Sequence, residues 1–510
     1  MPGRLKRWWS PLPVYRKWLG VAGFTAGLLL GTSQLLPGSL WTVLSPSASP
    51  AVDREKTCSG SGEITIATGN DVSAGSFRRN LIQDWNRTSL SRVARFVEIS
   101  DSADEARAEM AAAAQSHRCA YDILILDVAY VTEFARNGYI REIGPVGDAQ
   151  DPNGFSQDYW HQFIPNVLKA TEVDGKRYAV PFASDAPLLF GKTDRLTFKD
   201  WPDLLRDAEK HGYAGQFGDY EGGTVNLMEV ILSGGAKISD GERIVLDRYP
   251  TETKQALKMW KGLLSPPRHD GDSGTPGGSP QNAGQCQDDL ARGCLWGFTE
   301  ESGIRAFRDS GVGYMRNWPF AIPRLALDPV MRGPGGALRF DVAPLPRGGI
   351  LGGSTLALSA DISEDKIEDA RRLIEFLTRA DSQEMLFACG GYPPVVEKAY
   401  EFFQAVDDRH TCSGLQRQDG RDIVAEPGSE LTSPQLKNFA AKVHDAVTKA
   451  VQRPVSSHYA SFSETFRTCL RGALMSDVDP EDLDVGRIAR VLQDAQAGRR
   501  SDSACSRPSG

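Results

Sequence analysis

Tyr121-Asp122-Ile123-Leu124-Ile125-Leu126-Asp127 is the stretch of the chain that decides the fold class. Its four central residues are all aliphatic, which is typical of a strand that is covered on both faces of a sheet. An alanine-rich helical pattern precedes it from Ser102 to Gln115, and a second helical pattern follows from Val128 to Asn137. This alternation predicts an α/β fold that contains a parallel sheet with right-handed crossovers.

Two further strands are predicted upstream of this stretch. Residues 63–68 and 95–99 have strand patterns, and an amphipathic helix lies between them. In the common 2-1-3 strand order, the first and third strands are neighbours, so their starting ends lie side by side. Cys58 and Cys119 each precede one of these strands. We therefore expect a disulfide between Cys58 and Cys119.

The cysteine pattern favours disulfides over a metal site. The chain has eight cysteines, but it has no CxxC motif and no Cys/His cluster at zinc spacing. Cys286 and Cys294 are close enough in sequence to close a short loop. The remaining four cysteines cannot be paired from the sequence, although Cys412 with Cys469 is the preferred pair. Disulfides of this kind are expected in a domain that is exported from the cytoplasm.

Length and composition indicate a globular protein with at least two lobes. One hydrophobic core stops growing at roughly 250 to 300 residues, and this chain has 510. A hydrophobic fraction of 40% and a charged fraction of 24% exclude general disorder. The net charge is −8, and no Lys/Arg stripe occurs beyond the N-terminus, which argues against a nucleic-acid partner. The GxSxG, GxxxxGK[ST] and HExxH motifs do not occur, so no enzyme activity, cofactor or metal is predicted.

The N-terminus predicts export and a membrane anchor. Residues 1–17 carry five basic residues, and residues 18–41 form an apolar segment long enough to cross a bilayer, which takes roughly 20 residues. Basic residues that precede such a segment stay in the cytoplasm, so the rest of the chain is expected on the extracytoplasmic face, after a tether at 42–59. The alternative is a cleaved signal peptide and a secreted protein. No cysteine lies in the apolar segment or just after it, which excludes a lipidated cysteine there.

The segment Tyr314-Met315-Arg316-Asn317-Trp318-Pro319-Phe320 predicts a binding surface. A guanidinium is costly to bury without partners, so Arg316 and Asn317 beside bulky apolar residues favour an exposed position. Trp318 offers a flat apolar face, and Arg316 and Asn317 offer directed hydrogen bonds, a combination that suits a sugar. Tyr314 and Phe320 are expected to pack behind Trp318. The alternative is an aromatic segment that fills a domain core.

Five motifs occur in the order of a known family. They resemble the successive motifs of the extracellular solute-binding proteins of bacterial ABC importers, in particular the branch that binds maltose, trehalose and related oligosaccharides. The motifs are Tyr121–Asp127, Pro181–Ala186, Tyr220–Asn226, Met315–Pro319 and Pro344–Gly353. Five motifs in one order are far more specific than any single one.

The resemblance implies a two-lobed, type II periplasmic-binding-protein-like α/β fold with several chain crossovers at the hinge. It implies that lobe one comprises residues 60–180 and 346–390, and that lobe two comprises residues 181–345 and 391–496. Residues 497–510 are expected to form a disordered tail. Closure about the hinge would bury a sugar between the lobes.

The resemblance also implies which residues bind the ligand. Asp71 and Asp127 follow strands of lobe one, with helix capping as the alternative role for each. Asp185 lies at the first crossover, where the alternative is a hinge ion pair. Glycines 352 and 353 would let backbone N–H groups approach the ligand, or would serve a structural turn. The complete implied set is Asn70, Asp71, Asp127, Asp185, Glu221, Arg316, Asn317, Trp318, Gly352, Gly353 and Tyr392.

The expected function is capture of an oligosaccharide and its delivery to the permease subunits of an ABC transporter, with a monomer as the binding unit. The membrane is the other expected partner, through the N-terminal helix. Two alternatives remain at this point. One is a membrane-anchored receptor whose closed form signals to a sensor, and the other is an exported carbohydrate-active enzyme.

Overall fold

The structure, a computed structural model, describes Cys58, residues 61–499 and Cys505. It has gaps at residues 72, 74–75, 101, 146–154, 194, 265–293, 311, 404–430 and 477. Within the described residues, no helix is both long enough and apolar enough to cross a membrane. The predicted cytoplasmic segment and anchor at residues 1–41 lie outside the described residues, as do Cys286 and Cys412.

The strands of the described chain are numbered here in chain order. They are β1 (Ile64–Thr68), β2 (Ala94–Glu98), β3 (Ile123–Asp127), β4 (Gly144–Pro145), β5 (Glu172–Val173), β6 (Lys176–Arg177), β7 (Val180–Asp185), β8 (Leu188–Lys192), β9 (Tyr213–Ala214), β10 (Ser239–Asp240), β11 (Arg243–Ile244), β12 (Tyr314–Asn317), β13 (Phe340–Pro344) and β14 (Gly352–Leu358).

The helices of the same residues are numbered in the same way. They are α1 (Phe77–Thr88), α2 (Ala103–Gln115), α3 (Val131–Arg136), α4 (Gln157–His161), α5 (Pro165–Lys169), α6 (Trp201–His211), α7 (Glu221–Ser233), α8 (Pro250–Leu264), α9 (Glu300–Asp309), α10 (Ala321–Ala326), α11 (Glu364–Thr378), α12 (Ala380–Gly390), α13 (Glu397–Phe402), α14 (Ser433–Lys449), α15 (Tyr459–Met475) and α16 (Val485–Gln496).

The first sheet has the strand order β2-β1-β3-β14-β7 over the described residues. β1, β2 and β3 are parallel, which confirms the predicted 2-1-3 order. β14 is antiparallel to both of its neighbours, β3 and β7. The sheet is therefore parallel over β1, β2 and β3 and mixed as a whole, because β14 returns from the second sheet and enters in the opposite direction.

The buried faces of the first sheet follow from its composition. Ile123 to Leu126 of β3 are all buried, as expected for a strand covered on both faces. The amphipathic helix α1 buries Phe77, Leu81 and Trp85, which lie on one face at helical spacing. Helix α12 packs against α1, and α11 packs against β1 and β7. These helices and the sheet form the core of the first lobe.

The second sheet has the order β13-β8-β12-β9 in the part of the chain that the structure describes. β12 pairs with β8 in antiparallel fashion and with β9 in parallel fashion. The four residues of β12 are all buried, and Arg316 and Asn317 have no exposed surface. The prediction of an exposed position for Arg316 and Asn317 is therefore wrong, and the core alternative describes them correctly, whereas Tyr314 and Phe320 are buried as predicted. Trp318, which follows β12, is only partly buried.

The chain passes between the two sheets at several points. Only residues 186–187 separate β7 in the first sheet from β8 in the second, and residues 345–351 separate β13 from β14. A third connection involves the segment between α14 and α15. There Val451 accepts a hydrogen bond from Leu351 N at 2.8 Å, and its own N–H donates to Gly349 O at 2.8 Å. The lobe boundaries given in the sequence analysis stay predictions.

The disulfides agree with one prediction and correct another. Cys58 and Cys119 are bonded, with a Cα–Cα distance of 5.7 Å, as the 2-1-3 strand order predicts. Cys469 pairs with Cys505, with a Cα–Cα distance of 5.1 Å, so the preferred pair of Cys412 with Cys469 is wrong. Cys505 lies in the predicted disordered tail, and this bond ties that position to α15. The sequence contains nothing that would link position 505 to this helix, because the link depends on tertiary proximity.

Candidate functional site

The candidate site lies where the strand ends of the two sheets face each other. In the first sheet, Asp185 at the end of β7 pairs with Gly352, and Asp127 at the end of β3 pairs with Ser354. Trp318 extends from the end of β12 in the second sheet. A Cβ on Gly352 would lie 3.1 Å from Cη2 of Trp318 and 3.4 Å from Cβ of Asp185. The strand ends of both sheets therefore converge, which is where open α/β sheets bind ligands.

Trp318 forms one wall of the site. Its indole ring is fixed by a cation over one face and by a hydrogen bond from its N–H. The Arg316 guanidinium lies over the indole ring, 4.0 Å from its centroid. The indole Nε1 donates to Oε1 of Glu300 at 3.3 Å, and Tyr220 OH donates to the other carboxylate oxygen of Glu300 at 2.6 Å. One face of the indole is thus covered by protein, so a ligand can stack only on the opposite face.

The structure gives Arg316 and Asn317 a supporting role. Arg316 Nε and Nη2 donate to the two carboxylate oxygens of Glu229 at 2.9 and 2.7 Å, and Nη1 donates to Gln216 at 2.9 Å. Asn317 Nδ2 donates to the Glu300 carbonyl at 3.2 Å, and its Oδ1 accepts from Trp318 N at 2.8 Å. These bonds satisfy two fully buried polar side chains that position Trp318.

Asp185 differs from the other carboxylates of the site. Among the described residues, no side chain or backbone donor hydrogen-bonds to its carboxylate, although the residue is only partly exposed. Burial raises the pKa of Asp185 to about 7, and the charge of Asp127 adds to the rise, whereas Arg316, Arg453 and Arg78 oppose it. A hydrogen bond from a ligand hydroxyl or N–H would therefore contribute most to the binding free energy at this half-buried acceptor, which has no protein donor.

Asp71 and Tyr392 are brought together, but by contacts with protein. Tyr392 OH donates to Asp71 Oδ1 at 2.9 Å, and the same oxygen accepts from Ser73 Oγ at 2.6 Å. The other oxygen accepts from Arg78 N at 2.9 Å, in the first turn of α1. Helix capping, the alternative role given for Asp71, therefore agrees with these contacts. Asn70 is exposed beside it, and its carbonyl accepts from Arg78 Nη2 at 2.8 Å.

Glu221 and Asp127 share one cation, Arg453, that the sequence analysis missed. Arg453 Nη1 donates to Glu221 at 2.9 Å, and Nη2 donates to Asp127 at 2.5 Å. Glu221 also accepts from Tyr459 OH at 2.5 Å and Ser463 Oγ at 2.6 Å. Burial raises the pKa of Glu221, and Arg453 opposes the rise. Asp127 also caps the turn that follows β3 by accepting from Ala129 N at 2.9 Å.

The glycine pair has a structural requirement at its second position. Gly353 has a φ of 115°, and a Cβ there would lie 2.2 Å from the carbonyl oxygen of Ala183. Only glycine fits, because the backbone of β7 approaches too closely for any side chain. Gly352 keeps the space beside Trp318 and Asp185 open. The two glycines therefore let the first residues of β14 lie close to β7 and to Trp318 at the candidate site.

Four residues near the site were not predicted as ligand contacts: Arg78, Tyr220, Glu300 and Arg453. Tyr220 is the first residue of the Tyr220–Asn226 motif, but only its neighbour Glu221 was included in the implied ligand set. Glu300 lies at the start of α9, and its carboxylate accepts a hydrogen bond from the indole N–H of Trp318. No sequence pattern marks Arg453, because its two partners are 326 and 232 residues away. Over the described residues, no three His, Cys, Asp or Glu side chains are grouped to hold a metal ion.

The chain matches a family model and a named relative. Residues 95–409 match the model of the bacterial extracellular solute-binding protein family. A probable ABC transporter-binding protein of Deinococcus radiodurans is 25% identical over 361 residues, which cover 64% of this chain and 72% of the relative. The family and the relative are binding proteins rather than enzymes, and the family is extracytoplasmic.

Solved structures share the two-lobed fold. Maltose-bound MalE3 of T. maritima matches with a TM-score of 0.63 and 22% identity, over 85% of this chain and 99% of MalE3. The GacH receptor of Streptomyces glaucescens, described unliganded and with acarbose, matches with a TM-score of 0.62 and 18% identity, over 86% of this chain and all of the receptor chain. The fold, the converging strand ends and the family match lead to one conclusion: the chain belongs to the bacterial extracellular solute-binding protein family.

Proposed function

We propose that the protein captures an oligosaccharide between its two lobes and delivers it to the permease of an ABC transporter. The observation that carries this proposal is the pairing of an aromatic wall, Trp318, with a carboxylate that has no donor among the described residues, Asp185. A sugar ring offers an apolar face for stacking and hydroxyl donors along its edge. The apolar face can stack on Trp318 while a hydroxyl donates to Asp185, because these two residues are neighbours in the site.

The surrounding contacts favour a neutral, hydroxyl-rich ligand. Arg316 is already paired with Glu229, and Arg453 is already paired with Asp127 and Glu221. A phosphate or carboxylate ligand would therefore meet neutralised cations and an unpaired carboxylate. Because like charges repel in a partly buried site, we expect anionic solutes to bind poorly. The sugars described with MalE3 and with GacH support the same ligand class.

The proposed roles differ among the predicted site residues. Trp318 stacks on the ligand, Asp185 accepts a hydroxyl, and the N–H groups of residues 352 and 353 line the opposite side. Arg316, Asn317 and Asp71 orient these groups from behind, since their polar atoms are engaged by protein. Residues 18–41 anchor the protein in the membrane so that the captured solute stays near the permease. Ligand capture needs one copy of the chain.

A thermal-shift screen of residues 53–510 tests the proposed function. Neutral mono- and oligosaccharides are compared with amino acids, peptides and anionic sugars. A ligand at 100 times its Kd stabilises the protein by about 2.7 kcal/mol, which gives a clear shift of the midpoint. We expect a neutral oligosaccharide to give the largest shift. The proposal fails if only an amino acid or a peptide stabilises the protein.

Asp185→Asn is expected to raise the stability of the free protein and to weaken binding. The pKa of Asp185 is about 7 in the folded protein against an ordinary value near 3.8, so the folded state holds a proton that the unfolded state has lost. Stability therefore falls as the pH rises from about 4 to about 7, and then levels off. The variant cannot ionise, so this fall disappears, and at pH 8 it should be more stable by as much as about 4 kcal/mol, since one pKa unit corresponds to about 1.4 kcal/mol.

The measurement is the unfolding midpoint from pH 4 to pH 8, with and without the sugar found in the screen. Loss of ligand affinity together with increased stability of the free protein supports a binding role for Asp185. Glu301→Gln is a matched control, because Glu301 pairs with Arg324 at the surface and arginine lowers its pKa. A parallel loss of affinity and of stability in Asp185→Asn would indicate a structural carboxylate instead.

A further inference from the structure

Arg347 lies in a strained turn of the connection between β13 and β14. Gly348 N donates to the carbonyl of Leu345 at 3.0 Å, which closes a β-turn. Pro346 and Arg347 are its central residues, and Arg347 has a φ of 65°. A positive φ after a proline is typical of a type II turn, in which glycine or asparagine is the usual third residue. An arginine there is strained, and strain of this kind often marks a functional position.

The turn and the C-terminal part of α14 border a cavity of about 340 Å³. Its apolar lining is formed by Pro344, Leu345 and Ala446. Its charged lining is formed by Arg347 from the turn and by Asp445 and Lys449 from α14. Sites for small molecules usually have volumes of roughly 300 to 1,000 Å³ and combine apolar walls with a few polar groups. The cavity therefore has the size and the lining of a site for a small ligand.

Arg347 is the charge in this cavity that no described residue neutralises. Lys449 Nζ lies 2.6 Å from Asp445 Oδ1, so the other two charges compensate each other. Among the residues that the structure describes, the Arg347 guanidinium makes neither an ion pair nor a hydrogen bond, and the residue is exposed. Its N–H donors form a fixed planar fork. They are therefore available to an acceptor from outside the chain.

The Arg347 guanidinium lies far from the candidate site. Its Nη1 is 3.3 Å from the position that a Cβ would take on Gly235, just after the end of α7. Helix α7 begins at Glu221, the partner of Arg453 in the candidate site, and has 13 residues. At about 1.5 Å per residue, the helix is roughly 20 Å long. A ligand held by Arg347 would therefore not occupy the candidate site.

The alternative role for Arg347 is to stabilise the C-terminal end of α7, where the helix carbonyls carry partial negative charge. In the described part of the chain, no carbonyl of α7 accepts a hydrogen bond from the Arg347 guanidinium. A cation in the last turn of α7 itself would serve the same end of the helix without a strained turn. The conformation of Arg347 is therefore better explained by the cavity than by the helix.

We propose that this cavity is a second ligand site, which binds a monocarboxylate with a short apolar body. The planar guanidinium of Arg347 can donate two parallel hydrogen bonds to one carboxylate. Pro344, Leu345 and Ala446 offer contacts to the apolar body. One unpaired positive charge matches one negative charge, whereas a dianion would keep an uncompensated charge close to Asp445. The site is independent of the solute that binds between the strand ends.

A thermal-shift measurement on the full chain at about 150 mM NaCl tests this inference, with hexanoate as the probe. Hexanamide is the matched control ligand, because it has the same apolar chain and no charge. Hexanoate at about ten times its Kd should raise the unfolding midpoint by about 1–2 °C, and hexanamide should leave it unchanged. Inorganic phosphate should also have little effect, since it has no apolar body.

Arg347→Gly separates a ligand role from a structural role. Glycine adopts a positive φ without strain, so the free variant should be at least as stable as the wild type, while the hexanoate shift is lost. Arg347→Lys keeps the charge and should retain part of the shift. Trp318→Ala is the matched control at the candidate site, and it should keep the full hexanoate shift.

Four results would overturn the inference. The wild type does not respond to hexanoate, hexanamide gives an equal shift, or Arg347→Gly keeps the shift. The fourth is a midpoint of free Arg347→Gly several degrees below that of the wild type, because Arg347 would then be a structural residue of the turn. None of these measurements uses a sugar, so they remain decisive even if the sugar screen fails.

Discussion

Arg316→Met should lower the free energy of unfolding by about 3–5 kcal/mol, because it leaves the Glu229 carboxylate buried without a cation. Arg316 is fully buried, and only 4% of the Glu229 side chain is exposed. Two hydrogen bonds of 2.9 and 2.7 Å join the two groups, so the ion pair is bidentate. Methionine fills a similar volume, and the loss therefore reflects the uncompensated charge rather than a cavity.

Chemical denaturation of the ligand-free protein measures this effect. The double variant Arg316→Met/Glu229→Leu is the control, since removing both charges together should recover most of the lost stability. The difference in thermal midpoint between the wild type and Arg316→Met should be similar at 50 and 500 mM NaCl, because salt screens a buried pair much less than an exposed one. A loss below about 1 kcal/mol in the single variant would mean that water reaches Glu229 and that the pair is not truly buried.

Trp318→Ala should weaken ligand binding by about 30-fold or more, which corresponds to roughly 2 kcal/mol. One face of the indole lies 4.0 Å from the Arg316 guanidinium, so we expect the ligand to stack on the other face. Removing the ring costs the ligand its apolar contact. The free protein should lose only about 1–2 kcal/mol, since the residue is partly exposed and the loss is limited to the cation–π contact and some packing.

Titration calorimetry with the sugar found in the screen measures the affinity, and denaturation measures the fold. Trp318→Phe separates the two functions of the indole, because it keeps a flat ring and removes the N–H that donates to Glu300. We expect the phenylalanine variant to retain most of the affinity. A large loss of stability in Trp318→Ala with unchanged affinity would assign Trp318 to the core and remove it from the site.

Much of the first lobe could be predicted from local sequence pattern. The run Ile123 to Leu126 marked a buried strand, and the order of β2, β1 and β3 placed Cys58 beside Cys119. Both inferences depend on short-range periodicity and on the rules of parallel sheets. The direction of β14 could not be predicted in this way, because it depends on a long excursion through the second lobe.

The segment from Tyr314 to Phe320 shows the limit of this approach. Its residue types suggested a surface, because an arginine is costly to bury without partners. The partners exist, but Glu229 is 87 residues away and Gln216 is 100 residues away. The pattern also predicted a ligand contact at Trp318, which lies at the edge of the candidate site and stays a prediction. The role that it predicted for Arg316 differs from the contacts in the structure. Arg316 was expected to donate hydrogen bonds to the ligand, whereas it donates to Glu229 and Gln216 and lies over the ring of Trp318.

The sequence by itself determined the α/β class, the order of the first three strands, one disulfide and the family motifs, because each of these follows from neighbouring residues. Only the tertiary structure decided which polar groups of the site are satisfied by protein and which are left for a ligand. Arg316, Glu221 and Asp71 are engaged by distant residues, whereas Asp185 has no donor among the described residues. Hydrogen bonds and ion pairs between remote segments depend on the fold as a whole, and no local pattern encodes them.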